Sequence, residues 1–106
     1  MNIITRRTIL YYINEYPLAA NSLKNWYEEI SKSDFSSFNE LKNVYGNASI
    51  IANNRVIFNI KGNSFRLIVS FNFEVQTLYV IWFGTHKEYD KVDAANVRYF
   101  KGPGKL

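Results

Sequence analysis

The chain has 106 residues and a mass of 12.4 kDa, with 47% apolar and 21% charged residues, the balance of one globular domain rather than a disordered segment. It contains no cysteine, which excludes a disulfide framework, a thiolate zinc site and a cysteine nucleophile. The formal charge of +4 is uneven: residues 1–54 carry five Lys/Arg against five acids, whereas residues 55–106 carry eight against four. A basic, aromatic-rich second half suits an anionic partner such as nucleic acid; an ordinary basic surface over an aromatic core accounts for the charge equally well. No apolar run approaches the roughly 18 residues of a membrane span. The opening MNIITRRTILYYINEY lacks the apolar centre and cleavage site of a signal peptide. The expectation is a cytoplasmic protein with no membrane partner.

Residues 2–4 read as a short first strand. Thr5 is the expected N-cap of a helix running to Tyr16, where Pro17 interrupts it. Ile9, Tyr12, Ile13 and Tyr16 fall on one stripe of that helix. A second helix is predicted over about 18–32, with Ala19, Leu23, Trp26, Tyr27 and Ile30 inward. Ser37-Phe38-Asn39-Glu40 has the form of a capping box. It opens a short third helix carrying Leu41, Val44 and Tyr45, stopped by Gly46-Asn47.

Asn53-Asn54 reads as a turn, and from Arg55 the apolar period becomes two. Val56, Phe58 and Ile60 share one face of the first such strand, and Gly62-Asn63 supplies the positive-φ residues of a hairpin. Phe65, Leu67, Val69 and Phe71 follow on one face of the next strand, with Arg66, Ile68 and Ser70 on the other. Residues 77–84 form a strand that is apolar almost throughout, as expected of a central strand covered on both faces. The pattern predicts a single α+β domain over 1–106, with a short N-terminal strand and two to three helices packed on an antiparallel sheet of about three to four strands. Residues 93–106 are expected to be a partly mobile tail, and the second sheet face to be partly open.

The densest polar cluster is Thr85-His86-Lys87-Glu88-Tyr89-Asp90-Lys91, directly after the apolar strand. It combines the only imidazole with two cations and a phenol, the parts needed to cleave RNA without a metal. A base removes the 2′-hydroxyl proton, a cation stabilises the phosphorane, and an acid protonates the departing 5′-oxygen. Arg66 offers a bidentate phosphate contact. Each has a plainer reading: a loop histidine bonded to backbone, an arginine paired with a neighbouring acid, and Lys61 as a solvated turn residue. With one histidine, and with Glu88, Asp90 and Asp93 forming no recognised ligand set, neither a metal nor another cofactor is expected.

VIFNIKGNSFRLIVSFNF (56–73), followed by VIWFGTHKEYDKV (80–92), resembles the HigB family of bacterial type II toxins. Tyr16-Pro17, Leu23 with Trp26-Tyr27, and Leu41-Lys42 extend the likeness over about residues 2–92. The resemblance implies a RelE-like fold whose sheet forms a concave RNA-binding surface. It implies an mRNA interferase, in many relatives acting on translating ribosomes. The implied partner is a HigA-type helix-turn-helix antitoxin that represses the shared operon, so that operator DNA is met only through the antitoxin. The matched positions include Asn59, Gly62, Asn63, Arg66, Thr85, His86, Glu88, Tyr89 and Asp90. On this reading Arg66 stabilises the phosphorane, His86 is the acid or base and Tyr89 positions the nucleotide. Lys61, Lys87 and Asn63 hold the RNA, and Asp90 supports His86. The rivals are a toxin of the same fold acting on DNA gyrase, which needs no acid/base residue, and a non-catalytic RNA- or protein-binding module.

Overall fold

The computed structural model describes residues 1–99. In chain order these form β1 (Asn2–Ile3), α1 (Arg6–Glu15), a 3-10 turn (Pro17–Ala19), α2 (Ala20–Ser31), α3 (Phe38–Val44), β2 (Ser49–Ile51), β3 (Arg55–Ile60), β4 (Phe65–Asn72), β5 (Thr77–Thr85) and α4 (His86–Tyr89). The sheet order is β1-β5-β4-β3-β2; β1 lies parallel to β5 and every other pair is antiparallel. The fold is α+β as expected, with five strands rather than three to four. The extra strand is β2, whose three residues are too few to display a period. It pairs with β3 through a turn in which Asn53 and Asn54 take φ of 64° and 59°, the left-handed region that asparagine tolerates.

One sheet face packs against the helices. Phe58, Leu67, Val69 and Leu78 meet Ile9, Tyr12, Leu23, Trp26, Ile30 and Leu41 in a single buried cluster. The inward stripes of α1 and α2 are those the spacing predicts, but Val44 of α3 points outward. Two caps differ from expectation. Thr5 precedes α1 without a side-chain cap; its hydroxyl accepts the Val80 N–H at 2.7 Å, continuing the β1 edge where the chain has already turned into the helix. Ser37 does cap α3, accepting the Glu40 N–H at 3.2 Å, but the Glu40 carboxylate takes the amide of Ser36 rather than that of Ser37.

The unbroken apolar run of β5 has a geometric cause. Leu67 pairs with Phe83 and Ile68 with Trp82, but Val69 pairs with Val80, so Ile81 is an extra residue in β5. This bulge reverses the alternation. Leu78 and Val80 before it and Phe83 after it all face the helices, while Ile81 joins Ile57 and Ile68 on the second face. That second face is partly covered by the segment after α4. Val92, Ala94, Val97 and Tyr99 pack on the three isoleucines. Arg55 Nη1 and Asn53 Nδ2 donate to the carbonyls of Ala94 and Ala95, each at 2.8 Å. The remainder of the expected tail, residues 100–106, lies outside the described residues.

Candidate active site

The uncovered end of the second face is built by the β3–β4 hairpin, the end of β5 and α4. Asn59, Arg66 and Gly84 stand opposite one another on neighbouring strands and share that face with Ile68 and Trp82. The half-buried Arg66 is fixed by neutral acceptors. Its Nη2 donates to Asn63 Oδ1 at 2.7 Å, and its Nη1 to the carbonyls of Asn63 and Phe65 at 3.1 and 3.2 Å. Among the described residues no carboxylate pairs with it, so the salt-bridge reading is replaced by a held cation with uncancelled charge. The guanidinium carbon lies 5.9 Å from the centre of the Tyr89 ring, a cation–π contact. Tyr89 in turn packs on Trp82 with ring centres 6.2 Å apart.

The hairpin also differs from expectation. The positive φ angles fall on Lys61 (55°) and Gly62 (62°), not on Asn63. Asn63 instead spends its amide oxygen and its carbonyl on Arg66. Gly84 is required for close approach, since a Cβ there would lie 2.6 Å from Trp82 Cη2 and 2.8 Å from Glu88 Oε1.

Thr85-His86-Lys87-Glu88 folds as a capped helical turn instead of an open loop. Thr85 Oγ1 accepts the Glu88 N–H at 3.0 Å, and the Thr85 N–H donates to Glu88 Oε1 at 2.8 Å. The Tyr16 hydroxyl donates to the same carboxylate oxygen at 3.0 Å, tying α4 to the end of α1. The Thr85 amide holds the Glu88 carboxyl below its ordinary range. Burial, and then the bond to Glu88, push the Tyr16 phenol up to about 12. The His86 N–H donates to the Ser64 carbonyl at 2.9 Å, which anchors α4 to the β3–β4 hairpin.

His86, Tyr89 and Asp90 lie three and four residues apart, hence on one side of this turn. His86 Nδ1 is 3.5 Å from Asp90 Oδ2. His86 and Asp90 keep 43% and 61% of their side-chain surface exposed, so the imidazole has a carboxylate beside one nitrogen and is accessible to a ligand. The structure thus gathers Asn63, Arg66, His86, Tyr89 and Asp90 at one end of the sheet. Lys61 and Lys87 are exposed cations on the adjoining hairpin and helix, and among the described residues no contact joins them to Arg66 or His86. A fixed guanidinium, an exposed imidazole and an aromatic platform together accommodate an anionic phosphodiester beside a planar base.

The family model described as the HigB toxin, a RelE-like toxic component of a toxin–antitoxin system, matches residues 19–92. The chain belongs to the HigB toxin family. It is also similar to an mRNA interferase HigB of Escherichia coli O6:H1 (strain CFT073), with 28% identity over 95% of this chain and 96% of that protein. Family membership makes the chain a toxin with an antitoxin partner.

Three residues that lie within the matched stretches are given no role there, yet they support the site. Glu88 and Tyr16 pin α4, and Trp82 carries Tyr89. The T-x-x-E spacing of Thr85 and Glu88 is the same capping signal visible at Ser37 and Glu40, and it marks the turn. The Tyr16–Glu88 bond spans 72 positions of sequence and has no local signal.

Proposed function

We propose that this toxin is a metal-independent endoribonuclease that cleaves mRNA on translating ribosomes in the cytoplasm. Its neutralising partner is then an antitoxin of the HigA helix-turn-helix type, through which alone operator DNA is met. The observation that carries the reading is the pairing of an exposed His86, beside Asp90, with an Arg66 that no carboxylate neutralises. The catalytic activity in the name of the 28% identical relative supports it.

In this reading His86 takes the proton of a 2′-hydroxyl, and the 2′-oxygen attacks the adjacent phosphorus. Arg66 balances the charge that grows on the phosphorane oxygens, while Asn63 keeps the guanidinium aimed. The P–O5′ bond breaks, the 5′-oxygen takes a proton from water, the hydroxide so formed takes back the proton from His86, and the upstream fragment is left with a 2′,3′-cyclic phosphate. Tyr89, backed by Trp82, stacks on a neighbouring base, and Lys61 and Lys87 hold the flanking phosphates. A purified reconstituted translation system tests this directly. Wild-type protein is expected to cut the mRNA at coding positions and leave 5′-hydroxyl ends. Intact mRNA, with or without ribosomes, would overturn the nuclease reading.

A further inference from the structure

Past the end of β2 the outer edge of β3 is left open, and this stretch adjoins the site. Backbone groups along a strand alternate between the two neighbours. Asn54 O accepts the Phe71 N–H at 2.9 Å, so the even-numbered residues of β3 bond to β4 and the odd-numbered ones face β2. Of these, Arg55 and Ile57 lie opposite Ile51 and Ser49. Among the described residues Asn59 has no such partner, because the preceding chain turns away at Ala48, whose N–H bonds to Tyr45 O at 3.0 Å. A groove of about 240 Å³ runs between this edge and α2, lined by Ser22, Trp26, Glu29, Tyr45, Phe58 and Lys61 among others. The buried indole N–H of Trp26 finds no acceptor among the described residues.

We infer that the free edge at Asn59 receives a short extended segment of the antitoxin, which adds a strand beside β3 and sets an acidic side chain against Lys61. Strand alternation dictates what such a segment presents. One side chain enters the groove toward Phe58 and Tyr45, where a polar tip can accept from Trp26. The next falls on the opposite face beside Asn59, which stands between it and Arg66 of β4. The charge there is complementary, since Lys61 lines the groove and lacks a carboxylate partner among the described residues. The docking does not depend on the proposed role of Arg66.

Amide hydrogen exchange on the wild-type chain, free and in the complex co-expressed with the antitoxin of its own operon, tests the docking without using RNA cleavage. The Asn59 amide is expected to exchange rapidly in the free chain and at least about tenfold more slowly in the complex. An Asn59 amide unchanged by the antitoxin would overturn the inference, as would one already protected in the free chain by self-association. Asn59→Pro removes the outward N–H without breaking the β4 ladder. It should weaken the complex by about tenfold, the scale of losing a backbone hydrogen bond, while Asn59→Ala does not. Equal affinity of the two folded variants would count against the strand addition. If the proline variant fails to fold, the exchange experiment decides alone. Failure of either leaves the nuclease reading untouched.

Discussion

Asp90 Oδ2 lies 3.5 Å from His86 Nδ1 across one turn of α4, and both side chains remain largely in solvent. This pair sets a carboxylate beside the imidazole without burying either, and exposure sets how much each partner contributes. Loss of the imidazole removes the acid/base group itself, so His86→Ala should lower cleavage by about 10²–10⁴-fold. An exposed pair is worth little, so Asp90→Asn should cost no more than about fivefold. Single-turnover cleavage rates of the two variants check the ratio; equal losses would make Asp90 a reacting group.

Arg66 owes its position to Asn63 and its charge to the absence of a carboxylate neighbour among the described residues. Arg66→Ala should reduce the cleavage rate by about 10²–10³-fold, the scale of losing one donor to a developing oxyanion. A lysine lacks the planar fork, so Arg66→Lys should recover only part of that loss. Asn63→Ala leaves the charge and loosens its aim, and should fall between wild type and Arg66→Ala. Full activity in Arg66→Ala would reduce this residue to a structural part of the hairpin.

Gly84 is held by sterics. A Cβ at this position meets the Trp82 ring at 2.6 Å and Glu88 Oε1 at 2.8 Å, so both the aromatic platform and the α4 cap must give way. Gly84→Ala should destabilise the chain by about 1–3 kcal/mol, as overpacking does, measured by urea denaturation. Wild-type stability would mean that Trp82 moves freely.

The two partners of the Tyr16–Glu88 bond titrate at opposite ends of the pH scale. Glu88 is depressed in the folded chain by the Thr85 amide first, so its contribution is present above the unfolded carboxylate range and is lost as pH falls through the depressed value. Tyr16 is raised from 10.0 to about 12, so its contribution is complete below pH 10 and is lost as pH rises toward 12. The stability difference between wild type and Tyr16→Phe should therefore be flat through neutrality and shrink between pH 10 and 12. A difference that is unchanged across that window would show that neither burial nor the Glu88 bond raises the phenol.

Much of the frame is legible in the order of residues. The 3.6-residue stripes of α1 and α2 and the alternation of β3 and β4 place the core, because each pattern needs only local neighbours. The misreadings occur where a distant partner decides. Thr5 serves the Val80 amide rather than its own helix, and the bulge at Ile81 turns a strand that reads as doubly covered into one that switches faces. β2 exists only because β3 offers it an edge. At the site, the cluster around His86 and the arginine at 66 are readable as residue types, but the bonds from Asn63 and Tyr16 that aim them arise from the hairpin and from α1.

The most direct measurement is a transcriptome-wide map of RNA 5′ ends, taken minutes after tightly controlled expression of wild type and of His86→Ala. The account predicts new ends within coding regions for wild type and their absence for the variant. Ends made equally by both would move the acid/base role away from His86. Growth arrest with no new ends in either would contradict RNA cleavage altogether and point instead to a target such as DNA gyrase.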